Sequence, residues 1–376
     1  MPPLFKEFLK NHQYTDIVTK IENTENNAQS QANNNSFNKN ELTSEEIAKF
    51  EVKVIRIEDG FIRSNGLGSR FYYPYSLVFD DLGIYFDPTR ASRLEEILNN
   101  IKQQPNYNEL ISQAQELIQY ISRYNITKYS QGKSSFTKTN LSEDFNNDVG
   151  TLVNQNNNEK SSQTNFLQES FLKKLPNLKP QQKIIFVPGQ VDTDASIIQG
   201  GYGYNSLKLL QEARAINKDG YIIFKIHPDV LFSGREGETN LKKLYELADY
   251  VCSDNTPILD FINISSEVHT ITSLTGFDAL IRGKTVYTYG MPFYAGWGLT
   301  NDKQHCSRRK AQLNLNELVA AAIILYPRYF NWDTMQESNA IDVSKTLLNT
   351  PDSKHNKLLQ LTSYYFKFMK KLGLCK

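Results

Sequence analysis

The chain has 376 residues, of which 42 are Lys or Arg and 41 are Asp or Glu, so the formal net charge is +1. This near balance excludes a whole-chain basic field of the kind that attracts nucleic acid. Hydrophobic residues make up 39% of the chain, which suffices for cores in about two domains of ordinary size.

Two Asn-rich segments, residues 23–40 and 142–170, divide the chain. Neither contains enough apolar side chains to offset the entropy of ordering, so both are predicted to be disordered or loop-like. The resulting parts are a partly disordered head over 1–48, an N-terminal lobe over 49–141, an insert over 142–170, a C-terminal lobe over 171–335, and C-terminal helices over 336–376.

The N-terminal lobe begins with an apolar run that predicts a strand, followed by a polar turn that contains glycine. Two further short apolar runs flank Gly83 and predict a hairpin. Apolar residues then recur at helical spacing. The predicted elements are a strand over 52–57, hairpin strands over 75–81 and 83–87, and helices over 92–101 and 109–124.

In the C-terminal lobe, strand and helix patterns alternate, which predicts an α/β domain with a parallel sheet and helices on both faces. The predicted strands cover 183–189, 221–229, 268–273 and 285–290, and the predicted helices cover 206–217, 241–251, 276–283 and 316–329. Because ligands bind at the carboxyl ends of such strands, the polar residues that follow them are the candidates for a site.

Two of these strand ends predict a phosphate site. One has hydroxyl residues and a glycine ahead of a helix, where backbone N–H groups and the helix dipole favour anions, although an ordinary helix cap explains the pattern more often. The other ends in Lys-Ile-His-Pro, whose cations could offset phosphate charge, and a surface histidine fits it equally well. The residues are Ser273, Thr275, Gly276, Lys225, His227 and Pro228.

Carboxylates at two other positions suggest sugar chemistry, in which Asp and Glu are the usual agents. Asp192 and Asp194 follow a buried strand and would point the same way if the chain were extended, but a helix cap is slightly favoured. Glu58 and Asp59 lie beside Arg63, where a common salt-bridged turn is favoured over an acid/base group. The Gly- and aromatic-rich segment 290–298 is either a ligand-binding loop or a packed connection.

Six segments, in this order, resemble the capsule polysaccharide family of Kdo transferases, whose members add β-linked Kdo (3-deoxy-D-manno-octulosonic acid) from CMP-Kdo. The resemblance covers about residues 52–329. It rests on RIEDGFIRSNGLGS (56–69), SLVFDDLGIYFDPTR (76–90), VPGQVDTDASI (187–197), FKIHPDV (224–230), TSLTGFDALIRGKTVYTYGMPFYAGWGLT (272–300) and ILYPRY (324–329). The chain has one copy of each motif and is most similar to the second module of the two-module capsule enzyme.

The resemblance implies a GT-B fold of two Rossmann-like lobes, with an N-terminal lobe shorter than usual because only about fifty residues precede the first motif. It also implies C-terminal helices that pack back on that lobe. For residues 354–376, such packing is favoured about two to one over binding of a basic amphipathic helix to anionic lipid.

The family pattern implies that Asp194 is the nucleophile of a retaining double displacement and that Glu58 is the acid/base group for the acceptor. The implied donor-binding residues are His227 and Pro228 against CMP, Ser273, Thr275 and Gly276 around its phosphate, and Lys225 as a neutralising cation. The secondary candidates are Gln190, Asp192, Ser196, Asp59, Arg63 and Arg282.

The expected partners are CMP-Kdo as substrate, a glycolipid or oligosaccharide acceptor and other capsule-assembly proteins, without nucleic acid. No cofactor is expected, and no metal either, although Asp192-Thr-Asp194 is a metal-like pattern. Two alternatives stay open: a non-catalytic capsule-assembly scaffold, against which the carboxylates at Glu58 and Asp194 argue, and a transferase for another CMP-sugar.

Three separated cysteines, Cys252, Cys306 and Cys375, form no CxxC pair, which favours a reducing compartment over a disulfide framework. No run of about 18 apolar residues predicts a membrane helix, and the first residues lack the apolar stretch of a signal peptide. We therefore expect a cytoplasmic protein that is at most peripheral on the inner face of the bacterial inner membrane.

Overall fold

The computed structural model describes residues 54–66, 72–129, 168–332 and 334–349. Its strands are β1 (Arg56–Asp59), β2 (Ser76–Asp80), β3 (Ile184–Pro188), β4 (Tyr221–Lys225), β5 (Tyr250–Cys252), β6 (Glu267–Thr270), β7 (Thr285–Thr288), β8 (Asn301–Asp302), β9 (Pro327–Asn331) and β10 (Gln336–Ser338). Its main helices are α1 (Arg93–Asn99), α2 (Tyr107–Tyr124), α3 (Ala195–Gly200), α4 (Ser206–Ile216), α5 (Pro228–Ser233), α6 (Leu241–Leu247), α7 (Ile258–Ile264), α8 (Thr275–Ile281), α9 (Leu315–Val319) and α10 (Ala340–Asn349).

Six strands form a parallel sheet in the order β5-β4-β3-β6-β7-β8. The order of the strands reverses between β3 and β6, as it does in the doubly wound Rossmann arrangement. Every residue of β3 and of β4 is buried, which is why their apolar runs are continuous rather than alternating. The predicted parallel sheet is confirmed, and its switch point lies between the ends of β3 and β6.

Helices cover both faces of this sheet, because successive side chains along each strand point to opposite sides. Ile185 and Phe224 belong to a core shared with the buried residues of α4 and α6. Phe186 and Ile223 belong to a second core, shared with α7 and α8. The second core also contains the buried stripe of α2, so it joins the parallel sheet to the N-terminal part of the chain.

The other sheet has four strands in the order β1-β2-β9-β10, with every pair antiparallel. The predicted hairpin over 75–87 is wrong, because only β2 is a strand and it pairs with β1 and β9. Asp80 ends β2: its buried carboxylate accepts hydrogen bonds from the backbone N–H groups of Leu82 (3.0 Å), Gly83 (2.7 Å) and Arg93 (3.0 and 2.9 Å). These bonds bend the chain into the start of α1.

The C-terminal end of the described chain returns to the N-terminal part. The predicted helix over 316–329 instead comprises α9 and a π-helical turn over Ala320–Leu325, after which β9 joins β2. Helix α10 contacts α2 and β9, and Asn65 Nδ2 donates a hydrogen bond of 2.8 Å to the Leu347 carbonyl. The predicted head, most of the insert and the tail over 354–376 lie outside the described residues.

Among the described residues, no helix is both long and apolar enough to cross a bilayer. Cys252 and Cys306 are buried free thiols, and Cys375 lies outside the described residues.

Candidate active site at the carboxyl edge of the parallel sheet

Gln190 connects the loops that follow β3 and β6, at the switch point of the sheet. Its Oε1 accepts hydrogen bonds from the backbone N–H groups of Ile271 and Thr272, both at 3.1 Å, and from Thr270 Oγ1 at 3.2 Å. Its Nε2 donates to Thr272 Oγ1 at 3.1 Å. One buried amide therefore fixes both loops where ligands bind in sheets of this type.

Asp194 belongs to the same network and caps helix α3. Its Oδ1 accepts from Ser196 N at 3.0 Å and from Ser196 Oγ at 2.8 Å. Ser196 Oγ lies 3.1 Å from Thr272 Oγ1, which links the cap to the Gln190 amide. The capping interpretation is thus confirmed, and it leaves Oδ2 available: that oxygen lies 3.8 Å from Arg235 Nη2, and the Asp194 side chain is 45% exposed.

Asp192 and Asp194 do not lie on an extended segment, which was the condition for their side chains to point the same way. The segment turns instead of extending, because Asp194 N donates to the Val191 carbonyl at 3.0 Å. Burial raises the pKa of Asp192, and Glu238 and Glu236 raise it further, while the Ser206 backbone N–H lowers it. Among the described residues, no cluster of three His, Cys, Asp or Glu side chains is arranged to hold a metal.

His227 caps helix α5, in which Pro228 occupies the first turn. Its Nδ1 accepts from Asp229 N at 3.1 Å, which leaves the imidazole proton on Nε2. Burial lowers the pKa of His227, partly offset by Asp229 and Asp194. A neutral imidazole therefore lies within the electrostatic reach of Asp194.

Lys225 turns toward the end of the outer strand β5, away from the loops that follow β3 and β6. Its buried side chain donates to the Asp254 carbonyl at 2.8 Å, and its Nζ lies 3.6 Å from Cys252 Sγ, at the end of β5. The ammonium thus binds the loop that follows β5 rather than the loop at Ser273.

The predicted phosphate loop has an internal hydrogen-bond network. Ser273 Oγ accepts from Thr275 N at 3.2 Å and donates to Thr275 Oγ1 at 2.9 Å, and Gly276 N donates to the Ser273 carbonyl at 3.1 Å. Tyr294 Oη donates to the same carbonyl at 2.5 Å. A Cβ at Gly276 would lie 2.3 Å from that Oη, so glycine is needed for the close approach.

The segment 290–298 is a packed connection, because its aromatic side chains are buried. Trp297 is fully buried and donates from Nε1 to the Phe293 carbonyl at 2.7 Å. Arg282, a secondary candidate, lies at the C-terminal end of α8, at the opposite end from the phosphate loop. Its Nη2 donates to the Ile126 carbonyl at 3.2 Å and its Nη1 to the Asp278 carbonyl at 2.9 Å. Arg282 therefore holds the segment after α2.

On β1, Asp59 and Arg63 form the salt-bridged turn that was the alternative interpretation, with Arg63 Nε 2.7 Å from Asp59 Oδ2. Glu58 Oε1 accepts a hydrogen bond of 2.9 Å from Asp59 N. Within the described residues no basic side chain forms an ion pair with Glu58. Of the two adjacent carboxylates, Glu58 is the one available for chemistry.

Glu58, Asp59 and Asp194 all lie close enough to Tyr85 for their charges to act on its hydroxyl. Burial strongly raises the pKa of Tyr85, and the charges of Glu58, Asp59 and Asp194 raise it further. Lys128 Nζ donates to Tyr85 Oη at 3.3 Å. The charges of two carboxylates that the sequence suggested, one from each part of the chain, thus act on the same hydroxyl.

Four residues of this site were missed. Tyr85 was assigned to a strand, Arg235 and Lys128 lie in irregular segments without a motif, and Thr272 was passed over beside Ser273. Only Thr272 carried a usable signal, since it also follows a strand.

Comparison with known proteins identifies the family. A profile described as "Capsule polysaccharide biosynthesis protein" matches residues 38–329. The chain belongs to this family. Within the family, it is 37% identical over 307 residues to the capsule polysaccharide modification protein LipA of Neisseria meningitidis serogroup B, which covers 81% of this chain and 37% of LipA. It is 36% identical over 284 residues to the lipopolysaccharide-processing protein LpsZ of Rhizobium meliloti, which covers 75% of this chain and 55% of LpsZ.

Two solved structures of Thermosulfurimonas dismutans KpsC are similar to this family member. The one described as a β-Kdo 2,7 transferase has a TM-score of 0.58 at 35% identity and covers 79% of this chain and 78% of that chain. The one described as a β-Kdo 2,4 transferase has a TM-score of 0.62 at 30% identity and covers 81% of this chain and 82% of that chain. The predicted GT-B type of α/β fold is confirmed. The chain spans little more than a third of LipA and about half of LpsZ.

Proposed function

We propose that this protein is a retaining glycosyltransferase that moves Kdo from CMP-Kdo to a Kdo-containing or lipid-linked acceptor in capsule or surface-polysaccharide assembly. The similarity to two KpsC structures described as β-Kdo transferases supports the reaction class. The observation that carries the proposal for this chain is Asp194 at the carboxyl edge of the parallel sheet: Ser196 binds its Oδ1, while its Oδ2 accepts no bond from Ser196 and its side chain is 45% exposed. A lipid-linked acceptor would bring the protein to the inner face of the bacterial inner membrane as a peripheral protein.

In the proposed mechanism, Asp194 Oδ2 attacks the anomeric carbon of the donor sugar and CMP leaves with the electrons of the broken bond. Ser196 holds Oδ1, so the free oxygen has a fixed direction. An acceptor hydroxyl then attacks the glycosyl–Asp194 ester, Glu58 takes the hydroxyl proton, and the aspartate is released. Two inversions give net retention.

For the donor nucleotide, His227, Pro228 and the hydroxyls of Ser273 and Thr275 line the edge at which CMP would bind. Arg235 is the most accessible cation near the nucleophile, because it is 41% exposed and lies 3.8 Å from Asp194 and 3.7 Å from Asp229. We assign Arg235, in preference to Lys225, to offset the leaving phosphate, because the Lys225 ammonium already binds the Asp254 carbonyl.

The test compares Asp194→Asn with Asp192→Asn, its matched control two residues away. The first variant should lose at least about three orders of magnitude in Kdo transfer, as removal of a catalytic nucleophile does elsewhere, and the second should keep measurable activity. Intact-protein mass spectrometry of Glu58→Gln with CMP-Kdo should detect a Kdo-sized adduct on Asp194. Near-normal turnover by Asp194→Asn would remove the double displacement at this residue, and failure of the unmodified protein to transfer Kdo would remove the proposed function.

A further inference from the structure

Lys128 is a partly buried cation beside Tyr85. Its Nζ makes one hydrogen bond, to Tyr85 Oη at 3.3 Å, and no carboxylate in the described residues forms an ion pair with it. An ammonium has three N–H donors. Burial lowers the pKa of Lys128, against the opposing charges of Asp59, Glu58 and Asp194. Because a partly buried charge is costly unless it is paired, the ammonium has capacity for an anion that the described residues do not supply.

The position of Lys128 is fixed by the turn that carries Glu58. The Lys128 carbonyl accepts hydrogen bonds from Arg63 N at 2.9 Å and from Ser64 N at 3.3 Å. Tyr85, its side-chain partner, packs edge-to-face on Phe61 with ring centroids 4.9 Å apart. The ammonium is therefore held beside Tyr85 and the turn that follows Glu58.

Chemistry in that space needs a cation. In an ulosonic acid such as Kdo, the anomeric carbon itself bears a carboxylate, so attack by Asp194 brings two negative groups close together. Their repulsion opposes the attack unless a positive group lies beside the sugar carboxylate. Arg235, near Asp194 and Asp229, is assigned to the leaving phosphate, so Lys128 is the candidate for the sugar carboxylate.

We propose that Lys128 binds the carboxylate of the acidic sugar that lies between Glu58 and Asp194. The inference rests on the proposed function and deepens it, since it makes Lys128 the residue that distinguishes an acidic sugar from a neutral one. The bound carboxylate belongs to the donor sugar or to an acidic acceptor sugar, and the experiment below separates these sources.

The first measurement is calorimetric binding of CMP-Kdo and of CMP to Lys128→Met. We expect wild-type protein to bind CMP-Kdo more tightly than CMP. In Lys128→Met the ratio of these two affinities should fall about tenfold, as for loss of one charge-assisted hydrogen bond. The affinity of the variant for CMP itself should stay within about twofold of the wild-type value. Lys284→Met is the matched control, because Lys284 is also partly buried but lies away from the site. Lys284 directly precedes β7, and its Nζ donates to the Asn263 carbonyl. Lys128→Arg should retain part of the margin, and Lys128→Gln replaces the Met variant if that fails to fold.

The second measurement is steady-state transfer to a Kdo acceptor and to the same acceptor with its carboxylate reduced to an alcohol. If Lys128→Met loses its preference for CMP-Kdo over CMP, the bound carboxylate belongs to the donor sugar. A raised KM for the acidic acceptor alone, absent with the reduced acceptor, assigns it to the acceptor. If wild type transfers Kdo and Lys128→Met changes neither quantity more than about twofold, the inference is overturned. If wild type neither transfers Kdo nor prefers CMP-Kdo to CMP, the proposed function falls and the inference with it.

Discussion

Substitution of Gln190 by Ala should destabilise the protein more than any other single amide-to-alanine change at the sheet edge. The Gln190 Oε1 is the acceptor for three donors, the Ile271 N–H, the Thr272 N–H and the Thr270 hydroxyl. Alanine leaves these donors without a partner in a region where Gln190 and Thr270 are buried. At about 1 kcal/mol for each, the low end of the cost of an unsatisfied buried group, the loss is about 3 kcal/mol.

Thermal unfolding followed by circular dichroism measures this loss. For a chain of this length, about 2 °C per kcal/mol predicts a fall in Tm of about 6 °C. Gln113→Ala is the control, since Gln113 makes one exposed hydrogen bond, to Glu109 at 3.0 Å, and should shift Tm by less than about 1 °C. A Gln190→Ala variant that melts within 1 °C of this control would refute the argument that one amide holds the two loops.

Two further predictions concern buried groups near the sheet. His269 is buried, stacks on Tyr287 at 4.4 Å and has its pKa lowered by burial to about 4. As the pH falls, the unfolded state therefore binds a proton on this histidine before the folded state does, and the free energy of unfolding should fall by up to about 3 kcal/mol between about pH 6.5 and 4. In His269→Gln the Tm should depend less on pH over this range. A variant whose Tm falls with pH as steeply as that of the wild type would contradict the prediction. Gly276→Ala should cost about 1–3 kcal/mol because its Cβ would meet Tyr294 Oη, whereas at Gly220 the nearest atom is the flexible Ile185 Cδ1; equal Tm values for the two alanine variants would contradict the packing argument.

The parallel sheet could be predicted because its central strands carry uninterrupted apolar runs between amphipathic helices. The edge strands could not be predicted from the sequence. β5 has three residues and follows a helical pattern directly, and β8 has two. Such short strands depend on pairing with a neighbour rather than on their own sequence. The wrong hairpin has the same origin, because the Asp80 carboxylate that ends β2 binds N–H groups as far along the chain as Arg93.

The rule that strand ends carry function predicted Gln190, Asp194 and His227, and the structure links Gln190 and Asp194 by hydrogen bonds through Ser196 and Thr272. The same rule placed Lys225 at the phosphate, but a long side chain can turn to either side of its strand, and this one turned to β5. The rule could not identify Lys128, because Lys128 does not follow a strand. Its position depends on hydrogen bonds to a turn more than sixty residues earlier in the chain.

Aromatic packing joins the turn after Glu58 to the carboxyl edge of the parallel sheet. Phe61, three residues after Glu58, lies with its ring centroid 4.6 Å from that of Phe293 and 6.1 Å from that of Phe277. Both partners belong to the elements at the carboxyl edge of the parallel sheet. Aromatic rings bury large areas with only two rotatable bonds, so they fix distances at low entropic cost. The double displacement proposed for Glu58 and Asp194 needs its two carboxylates at a defined spacing, and these rings hold the turn after Glu58 against the elements at the carboxyl edge of the sheet that carries Asp194.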